Sequence, residues 1–268
     1  MNFFDQFHKQ HIIIAHRGYR SIRAENTIDA FKEAIGKSDM FEFDVQFTKD
    51  FIPIVIHDDT LSRTTNIKTV FKDKVAPFYV RNFTLSEIKE LDNSSWFTKT
   101  DPFDTIKTGK VSFALLNTLL ASSISTLDDI LEFIKKENFP ANLEIKDSKY
   151  FDANNIAKEI ADRVCEHNVT ESCIVSSFNH KYLKLLKKRK KDIKIAALFE
   201  KKDHDNLLSY LKDMEVDAYH IDKLLVEKEK ISTLKKNGIY TNVYTINNKQ
   251  EEVKLFEEGV KGVFTDIL

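Results

Sequence analysis

Short apolar runs alternate with amphipathic stretches along most of the chain, an order typical of a parallel sheet with helices packed outside it. The apolar runs predict strands at Ile12–Ala15, Met40–Phe47, Pro53–His57, Asn142–Lys146, Cys173–Ser177, Ile193–Phe199, Ala218–Ile221, Ile239–Thr245 and Gly262–Thr265. The stretches with helical spacing predict helices at Glu25–Ile35, Thr126–Lys136, Ala153–Glu166, Lys181–Lys190, His204–Asp213, Val226–Asn237 and Lys249–Glu258. The pattern therefore predicts an α/β fold, a (β/α)8 barrel of the TIM type.

The predicted strands exceed the eight of such a barrel by one, and the second and third runs explain the excess. Only residues 48–52 separate these two runs. A connection between parallel strands needs a dozen or more residues, so the two runs are expected to form an antiparallel hairpin. The hairpin would bring His57 to the mouth of the barrel.

The chain of 268 residues suits a single barrel domain over residues 1–268. Between His57 and Thr126 the periodicity weakens and aromatic residues are frequent. We expect a lid-like insertion at about residues 60–125, following the hairpin. A structureless loop of this length is uncommon inside a compact domain, so we also expect a short helix at Ser86–Leu91.

Charge and cysteine content narrow the class of protein. The 41 Lys and Arg residues nearly balance the 42 Asp and Glu residues, which argues against a nucleic-acid partner. Cys165 and Cys173 are too few for a disulfide framework or a thiolate metal site and suit a reducing compartment. The apolar run Ile12–Ala15 is shorter than a signal-peptide core, and no run approaches the ~20 residues of a membrane helix. We expect a cytoplasmic protein without stable membrane insertion, of unspecified oligomeric state.

Charged residues occupy inward-facing positions on two predicted strands. Glu42 and Asp44 share one face of the second strand, and Glu144 and Lys146 share one face of the fourth. Inward-facing charges are costly unless they are paired or bound to a metal. Three carboxylates without cysteine would select Mg²⁺ or Ca²⁺, whereas the alternative is a salt-bridge network among these four residues.

Two histidines are predicted at the same end of the barrel as these carboxylates. His16-Arg17-Gly18 follows the first strand, and His57-Asp58 closes the hairpin. A lone histidine is more often structural, but two at strand ends beside a metal cluster indicate acid–base chemistry. The planar guanidinium of Arg17 suits phosphate oxygens.

Five motifs occur along the chain in one order, namely His16-Arg17-Gly18, Glu25-Asn26-Thr27, Glu42-x-Asp44, His57-Asp58 and Glu144-x-Lys146. In order and rough spacing, this set resembles the glycerophosphodiester phosphodiesterases. The resemblance extends from about residue 11 to the C-terminus and leaves residues 98–125 unmatched.

The resemblance implies a TIM barrel that hydrolyses glycerophosphodiesters to sn-glycerol 3-phosphate and an alcohol. It implies that His16 and His57 are the general acid and base, and we hypothesise that His16 is the base and His57 the acid. It also implies roles for the charged residues, with Glu42, Asp44 and Glu144 holding one divalent ion, Mg²⁺ or Ca²⁺, and Arg17 and Lys146 contacting the phosphate.

Three further residues are expected to bind substrate. The resemblance places Glu25 and Asn26 in the active site, although Asn26 or Thr27 could instead cap the first helix. In the family that the chain resembles, tryptophan commonly lies near the alcohol pocket at the position of Tyr244. The sequence therefore leaves choline, ethanolamine, inositol and glycerol open as leaving groups. The alternatives are a related barrel phosphodiesterase acting on lysophospholipids and a non-catalytic phosphodiester-binding protein.

Overall fold

The computed structural model describes residues 1–118 and 121–268, so residues 119–120 of the predicted insertion lie outside the described part. Its strands are β1 (Ile12–Ala15), β2 (Met40–Phe47), β3 (Pro53–Val55), β4 (Ala141–Ile145), β5 (Cys173–Ser177), β6 (Lys194–Phe199), β7 (Ala218–Asp222), β8 (Tyr240–Tyr244) and β9 (Gly262–Thr265). All except β3 pair in parallel, in the order β1-β9-β8-β7-β6-β5-β4-β2, and pairing between β1 and β2 closes the barrel. The predicted TIM barrel is confirmed.

β3 is the additional strand, and it lies antiparallel to β2 as the short connection requires. Val45 pairs with Val55 and Phe47 pairs with Pro53. The turn between them places Phe51 in the left-handed region at a φ of 63°, where a bulky residue is strained. The ring of Phe51 stacks on that of Phe47 with the centroids 4.8 Å apart, and this packing favours the turn.

The helices of the described residues are α1 (Ile28–Ala34), α2 (Ile67–Val70), α3 (Leu85–Ile88), α4 (Trp96–Thr100), α5 (Phe113–Leu116), α6 (Leu127–Glu137), α7 (Ala153–Glu166), α8 (His180–Arg189), α9 (Leu207–Asp213), α10 (Lys228–Lys236) and α11 (Lys249–Glu257). Among the helices of the described residues, none is both long enough and apolar enough to cross a bilayer. The larger helices pack outside the strands, as the apolar stripes predicted.

α1 begins at Ile28, three residues later than predicted. Thr27 caps it, because its hydroxyl oxygen accepts the Ala30 N–H at 3.2 Å. Asn26 has a φ of 57°, a left-handed conformation that cannot continue a helix toward the N-terminus. Glu25 and Asn26 therefore belong to the loop that connects β1 to α1.

The barrel interior and its outer face bury separate sets of apolar side chains. Ile12, Ile14 and Met40 fill the interior, and the N-terminal 3₁₀ turn Phe3–Gln6 adds Phe3 and Phe4 to this cluster. Alternate residues of β2 point outward, and Phe41 stacks on Phe31 of α1 with the ring centroids 4.4 Å apart. The alternation leaves the inward positions of β2 to Glu42 and Asp44.

The insertion has a small apolar core of its own. Buried side chains of this core are Ile54, Ile56, Leu61, Ile67, Phe78, Val80, Phe83, Ile88, Leu91 and Ile124. The predicted helix at Ser86–Leu91 is the shorter α3, which begins with a capping box between Thr84 and Glu87. Farther along, the Thr105 hydroxyl donates to the Ser21 carbonyl at 2.5 Å, so the insertion packs on the β1–α1 loop. The lid-like role stays a prediction.

Candidate active site

Three carboxylates meet inside the barrel near the carboxyl ends of its strands. Asp44 of β2 pairs in register with Glu144 of β4, and Glu42 lies on the same face of β2 as Asp44. One carboxylate oxygen from each of the three lies within 4.8 Å of the others. Glu42 and Asp44 are only 2% and 1% exposed. This cluster is the carboxylate set predicted from strand parity.

The cluster has an excess of buried negative charge. Burial, reinforced by the charges of Asp44 and Glu144, raises the pKa of Glu42 well above its usual range. Burial likewise raises the pKa of Glu144. Burial would also raise the pKa of Asp44, but the charges of Arg17 and Lys146 outweigh it and lower that pKa. Additional positive charge is therefore needed to keep all three carboxylates ionised.

Two carboxylate oxygens of the cluster are positioned to meet such a charge. Glu42 Oε1 and Asp44 Oδ1 are buried without a hydrogen-bond partner in the described part of the chain. Oxygen donors without nearby thiols are the ligands that Mg²⁺ and Ca²⁺ prefer. The donor set, with Glu42 Oε1 unpaired among the described residues and Asp44 Oδ1 meeting only the Lys146 ammonium, therefore fits a divalent cation.

Lys146 forms salt bridges of the predicted network, and Arg17, which was not part of that prediction, adds further contacts to the cluster. The Lys146 ammonium lies 2.6 Å from Glu144 Oε1 and 3.4 Å from Asp44 Oδ1. The Arg17 backbone N–H donates to Glu42 Oε2 at 2.8 Å, and its Nε lies 3.3 Å from Asp44 Oδ2. Gly18 is required beside it, because a Cβ there would lie 2.7 Å from the Ala30 carbonyl carbon. Salt bridges and an oxygen-rich cluster thus coexist.

His16 and His57 lie in similar hydrogen-bonding environments. His16 Nδ1 lies 2.8 Å from Asp266 Oδ1, and His57 Nδ1 lies 2.7 Å from Asp58 Oδ1. An ionised carboxylate accepts the Nδ1 hydrogen, which leaves the Nε2 lone pair of a neutral ring available to a reactant. Burial lowers the pKa of His16 despite the opposing hydrogen bond to Asp266, so this ring is neutral near pH 7.

These groups line a cavity of about 300 Å³ whose two walls differ in chemistry. The charged wall consists of His16, Arg17, Glu42, His57, Glu144 and Lys146. The apolar wall consists of Phe178, Leu198, Tyr244 and Phe264, with Asn142, Glu200 and Thr245 completing the lining. No residue of the described part of the insertion contributes to this lining.

The sequence and fold were compared with those of known proteins. The model of the glycerophosphoryl diester phosphodiesterase family matches residues 16–268. A glycerophosphodiester phosphodiesterase of Caldanaerobacter subterraneus is 34% identical over 95% of this chain and 93% of its own length. One from Bacillus altitudinis is 32% identical over 95% of this chain and 94% of its own. The chain belongs to the glycerophosphoryl diester phosphodiesterase family.

Solved structures of similar proteins have the same fold. An Oleispira antarctica phosphodiesterase in complex with the product sn-glycerol-3-phosphate has a TM-score of 0.74 and 25% identity, covering 95% of this chain and 92% of that one. A Thermotoga maritima glycerophosphodiester phosphodiesterase has a TM-score of 0.67 and 24% identity, covering 97% and 96%. The resemblance to this family, inferred from five motifs, is confirmed, as is the assignment to the phosphodiester-hydrolysing enzymes.

Within the family fold, two of the predicted substrate-binding residues lie behind the cavity wall. Asn26 donates from Nδ2 to Asp44 Oδ2 at 2.8 Å, and its Oδ1 accepts the Asp44 backbone N–H at 3.2 Å. Asn26 thus holds a carboxylate of the cluster in place. Glu25 is 2% exposed and is surrounded by arginines. Neither residue lines the cavity, so this arrangement favours an indirect role for both.

Tyr244, the third predicted substrate-binding residue, lies on the apolar wall. Its hydroxyl donates to the Phe199 carbonyl at 2.7 Å, so its ring and not its hydroxyl characterises the wall. The ring lies edge-on to Phe178 and Phe264, with centroids 6.2 and 6.3 Å away. Sequence reasoning missed both neighbours, although each lies at or directly after a strand's carboxyl end. It also assigned no role to Asp266, which follows β9 and holds His16.

Proposed function

We propose that this protein hydrolyses glycerophosphodiesters to sn-glycerol 3-phosphate and an alcohol, using His16 and His57 as the acid–base pair. The observation that carries the proposal is one cavity that holds two carboxylate-bound histidines and a buried cluster of three carboxylates. The names of the relatives and the product bound to the Oleispira antarctica enzyme support the same reaction.

The hydrogen bonds of the histidines suggest how the protons move. His16, neutral near pH 7 and held through Nδ1, takes a proton at Nε2 from the nucleophile, which is a water or the glycerol 2-hydroxyl. Attack by water gives sn-glycerol 3-phosphate directly, whereas attack by the 2-hydroxyl gives a cyclic phosphodiester that a water must then open. His57, which carries a hydrogen on both ring nitrogens at this step, keeps its Nδ1 hydrogen bonded to Asp58 and gives its Nε2 proton to the departing alkoxide. Each histidine thus keeps its Nδ1 for orientation and its Nε2 for the reaction.

The charged wall also binds the phosphate in this proposal. Glu42, Asp44 and Glu144 would hold one divalent ion, Mg²⁺ or Ca²⁺, and its charge would offset the negative charge of the phosphodiester. Arg17 and Lys146 contact the phosphate oxygens from the same wall. Tyr244 and the other apolar side chains contact the carbon chain of the substrate.

The test is a substrate panel at saturating Mg²⁺ or Ca²⁺. Purified protein is incubated with glycerophosphocholine, glycerophosphoethanolamine, glycerophosphoinositol and lysophosphatidylcholine. A coupled dehydrogenase detects sn-glycerol 3-phosphate from the soluble diesters, and released choline is measured for the lysophospholipid. We expect release from at least one water-soluble diester, and we expect no release by His16→Ala. His8→Ala, which removes an exposed histidine outside the site, is the matched control.

Cleavage of the lysophospholipid alone would instead establish the lipid phosphodiesterase alternative. Binding of the soluble diesters without any turnover by a folded protein would establish the non-catalytic alternative. Either result would overturn the proposal.

A further inference from the structure

Glu25 is the centre of an ion-pair chain that runs behind the cavity wall. Its two oxygens contact the guanidinium groups of three arginines, at 3.0 Å for Arg17, 2.6 Å for Arg20 and 2.7 Å for Arg63. A buried carboxylate is stable only when its charge and lone pairs are satisfied in this way. Glu25 does not line the cavity, and arginines engage both of its oxygens.

One arm of the chain leads from Glu25 to His16. Arg20 contacts Glu25 through Nη2 and, through Nη1, contacts Asp266 Oδ1 at 3.3 Å. That same oxygen accepts the Nδ1 hydrogen of His16 at 2.8 Å. Asn247 holds the second oxygen of Asp266 with a hydrogen bond of 2.7 Å. Asp266 is thereby fixed on both oxygens.

The other arm leads from Glu25 to His57. Arg63 donates to both oxygens of Glu25, at 2.7 and 3.1 Å. The same guanidinium donates to both oxygens of Asp58, from Nε at 2.7 Å and from Nη2 at 2.8 Å. Asp58 Oδ1 accepts the Nδ1 hydrogen of His57 at 2.7 Å. Each histidine is therefore joined to Glu25 through one carboxylate and one arginine.

We propose that Glu25 and Arg63 are positioning residues, and that this single ion-pair chain fixes the ring orientation of both histidines and keeps a hydrogen on the Nδ1 of each. The inference rests on the acid–base roles proposed above. Arg63 links two carboxylates with paired, planar hydrogen bonds, a geometry that lysine cannot reproduce. Removing one member of the ion-pair chain leaves the charge of its neighbour unpaired. The loss is therefore expected to affect more distant members of the ion-pair chain as well.

The ion-pair chain connects the insertion to the active site. Arg63 belongs to the insertion, and its guanidinium lies 5.9 Å from the centre of the Trp96 ring. Its side chain is 41% exposed, so it is not a part of the insertion's apolar core. Replacing Arg63 is thus expected to disturb His57 without unfolding the insertion.

The first test is kinetic and uses Arg63→Ala and Arg63→Lys. Outer-shell residues of this kind typically contribute about 10–100-fold in activity, and we expect a loss in that range in kcat, with KM changed less than threefold, about 0.65 kcal/mol. Arg63→Lys should recover only part of the loss. Arg189→Ala, which removes an exposed arginine of α8, is the matched control and should match the wild type. Wild-type kcat in Arg63→Ala would overturn the proposal.

The second test needs no turnover and so separates this inference from the proposed reaction. Nitrogen-15 spectra of the resting protein, recorded at a pH where the rings are neutral, report the tautomer of each histidine, and His57→Gln assigns the signals of His57. We expect the Nδ1–H form at His57 in the wild type and a mixture of tautomers in Arg63→Ala. The Nδ1–H form persisting unchanged in folded Arg63→Ala would contradict the inference even in an active enzyme.

The third test asks whether the two arms are joined. If Glu25 couples them, Arg20→Ala and Arg63→Ala lower kcat non-additively, and the double variant loses less than the product of the two single losses. Strictly multiplicative losses would show two independent supports and would contradict a single chain. Because these arginines are partly exposed, the comparison avoids the buried Glu25 variants, which can fail to fold.

Discussion

The two walls of the cavity differ in how firmly their side chains are held. Ion pairs and hydrogen bonds hold the side chains of the charged wall, whereas the apolar wall includes Phe178, which is 43% exposed to solvent. On the charged wall, even the carboxylates behind the surface are fixed, as Asp266 is by His16 and Asn247. On the apolar wall, the Tyr244 ring meets the rings of Phe178 and Phe264 edge to face. From this difference we expect the charged wall to determine the rate of reaction and the apolar wall to determine the fit of the substrate.

The largest effect is expected from removing a proton-transferring group of the charged wall. His57→Ala should lower kcat by ~10²–10⁴-fold, because the departing alkoxide loses its proton donor. Steady-state kinetics on the preferred diester measure this loss. If His57→Ala kept more than half of the wild-type kcat, the acid–base role of the charged wall would be disproved.

The next largest effect is expected in the carboxylate cluster. Free metal at about 100 times its Kd should stabilise the wild type by ~2.7 kcal/mol, a rise in Tm of roughly 5–10 °C at this chain length. Glu42→Gln keeps the shape of the side chain but removes a charged ligand, so most of this rise should disappear. Thermal unfolding with and without Mg²⁺ or Ca²⁺ measures it. Equal rises in both proteins would exclude Glu42 as a ligand.

A smaller effect, with a defined pH dependence, is expected at Asp266. Its hydrogen bond raises the pKa of His16 against the larger, opposing influence of burial. In Asp266→Asn this contribution is lost, the pKa of His16 falls further, and the acid limb of kcat/KM moves to lower pH. The maximal rate should fall by about 10–100-fold, because the ring loses its orienting acceptor. An acid limb that moves to higher pH would contradict this electrostatic account.

The smallest effect is expected on the apolar wall. Phe178→Ala removes a partly exposed ring, worth about 1 kcal/mol of substrate contact, so KM should rise roughly fivefold with kcat nearly unchanged. Tyr244→Phe, which keeps the neighbouring ring, is the companion variant and should leave both constants close to the wild type. A loss in kcat larger than the change in KM at Phe178 would contradict the division between the walls.

The fold was largely predictable from the sequence because the strands carry a strong local signal. The bounds predicted for Ile12–Ala15, Met40–Phe47, Cys173–Ser177 and Gly262–Thr265 agree with the structure. The hairpin followed from a connection too short for a parallel crossover. The start of α1 was missed because the left-handed conformation of Asn26 is not visible in the spacing of apolar residues.

The charged wall was predictable where strand parity alone places a side chain, as for Glu42, Asp44 and Glu144. The supports behind it were not, since Asp266 lies 250 residues from His16 and Arg63 lies 38 residues from Glu25. No local pattern joins such partners. Phe264 of the apolar wall could have been predicted, because the same parity argument applies to the last strand.

The most direct test of the account is the rate of sn-glycerol 3-phosphate release from glycerophosphoethanolamine, before and after EDTA and again after Mg²⁺ or Ca²⁺ is restored. The account predicts release that EDTA abolishes and that one of the two ions restores, with His57→Ala remaining inactive throughout. Release that is indifferent to EDTA, or that yields phosphoethanolamine in place of sn-glycerol 3-phosphate, would contradict it.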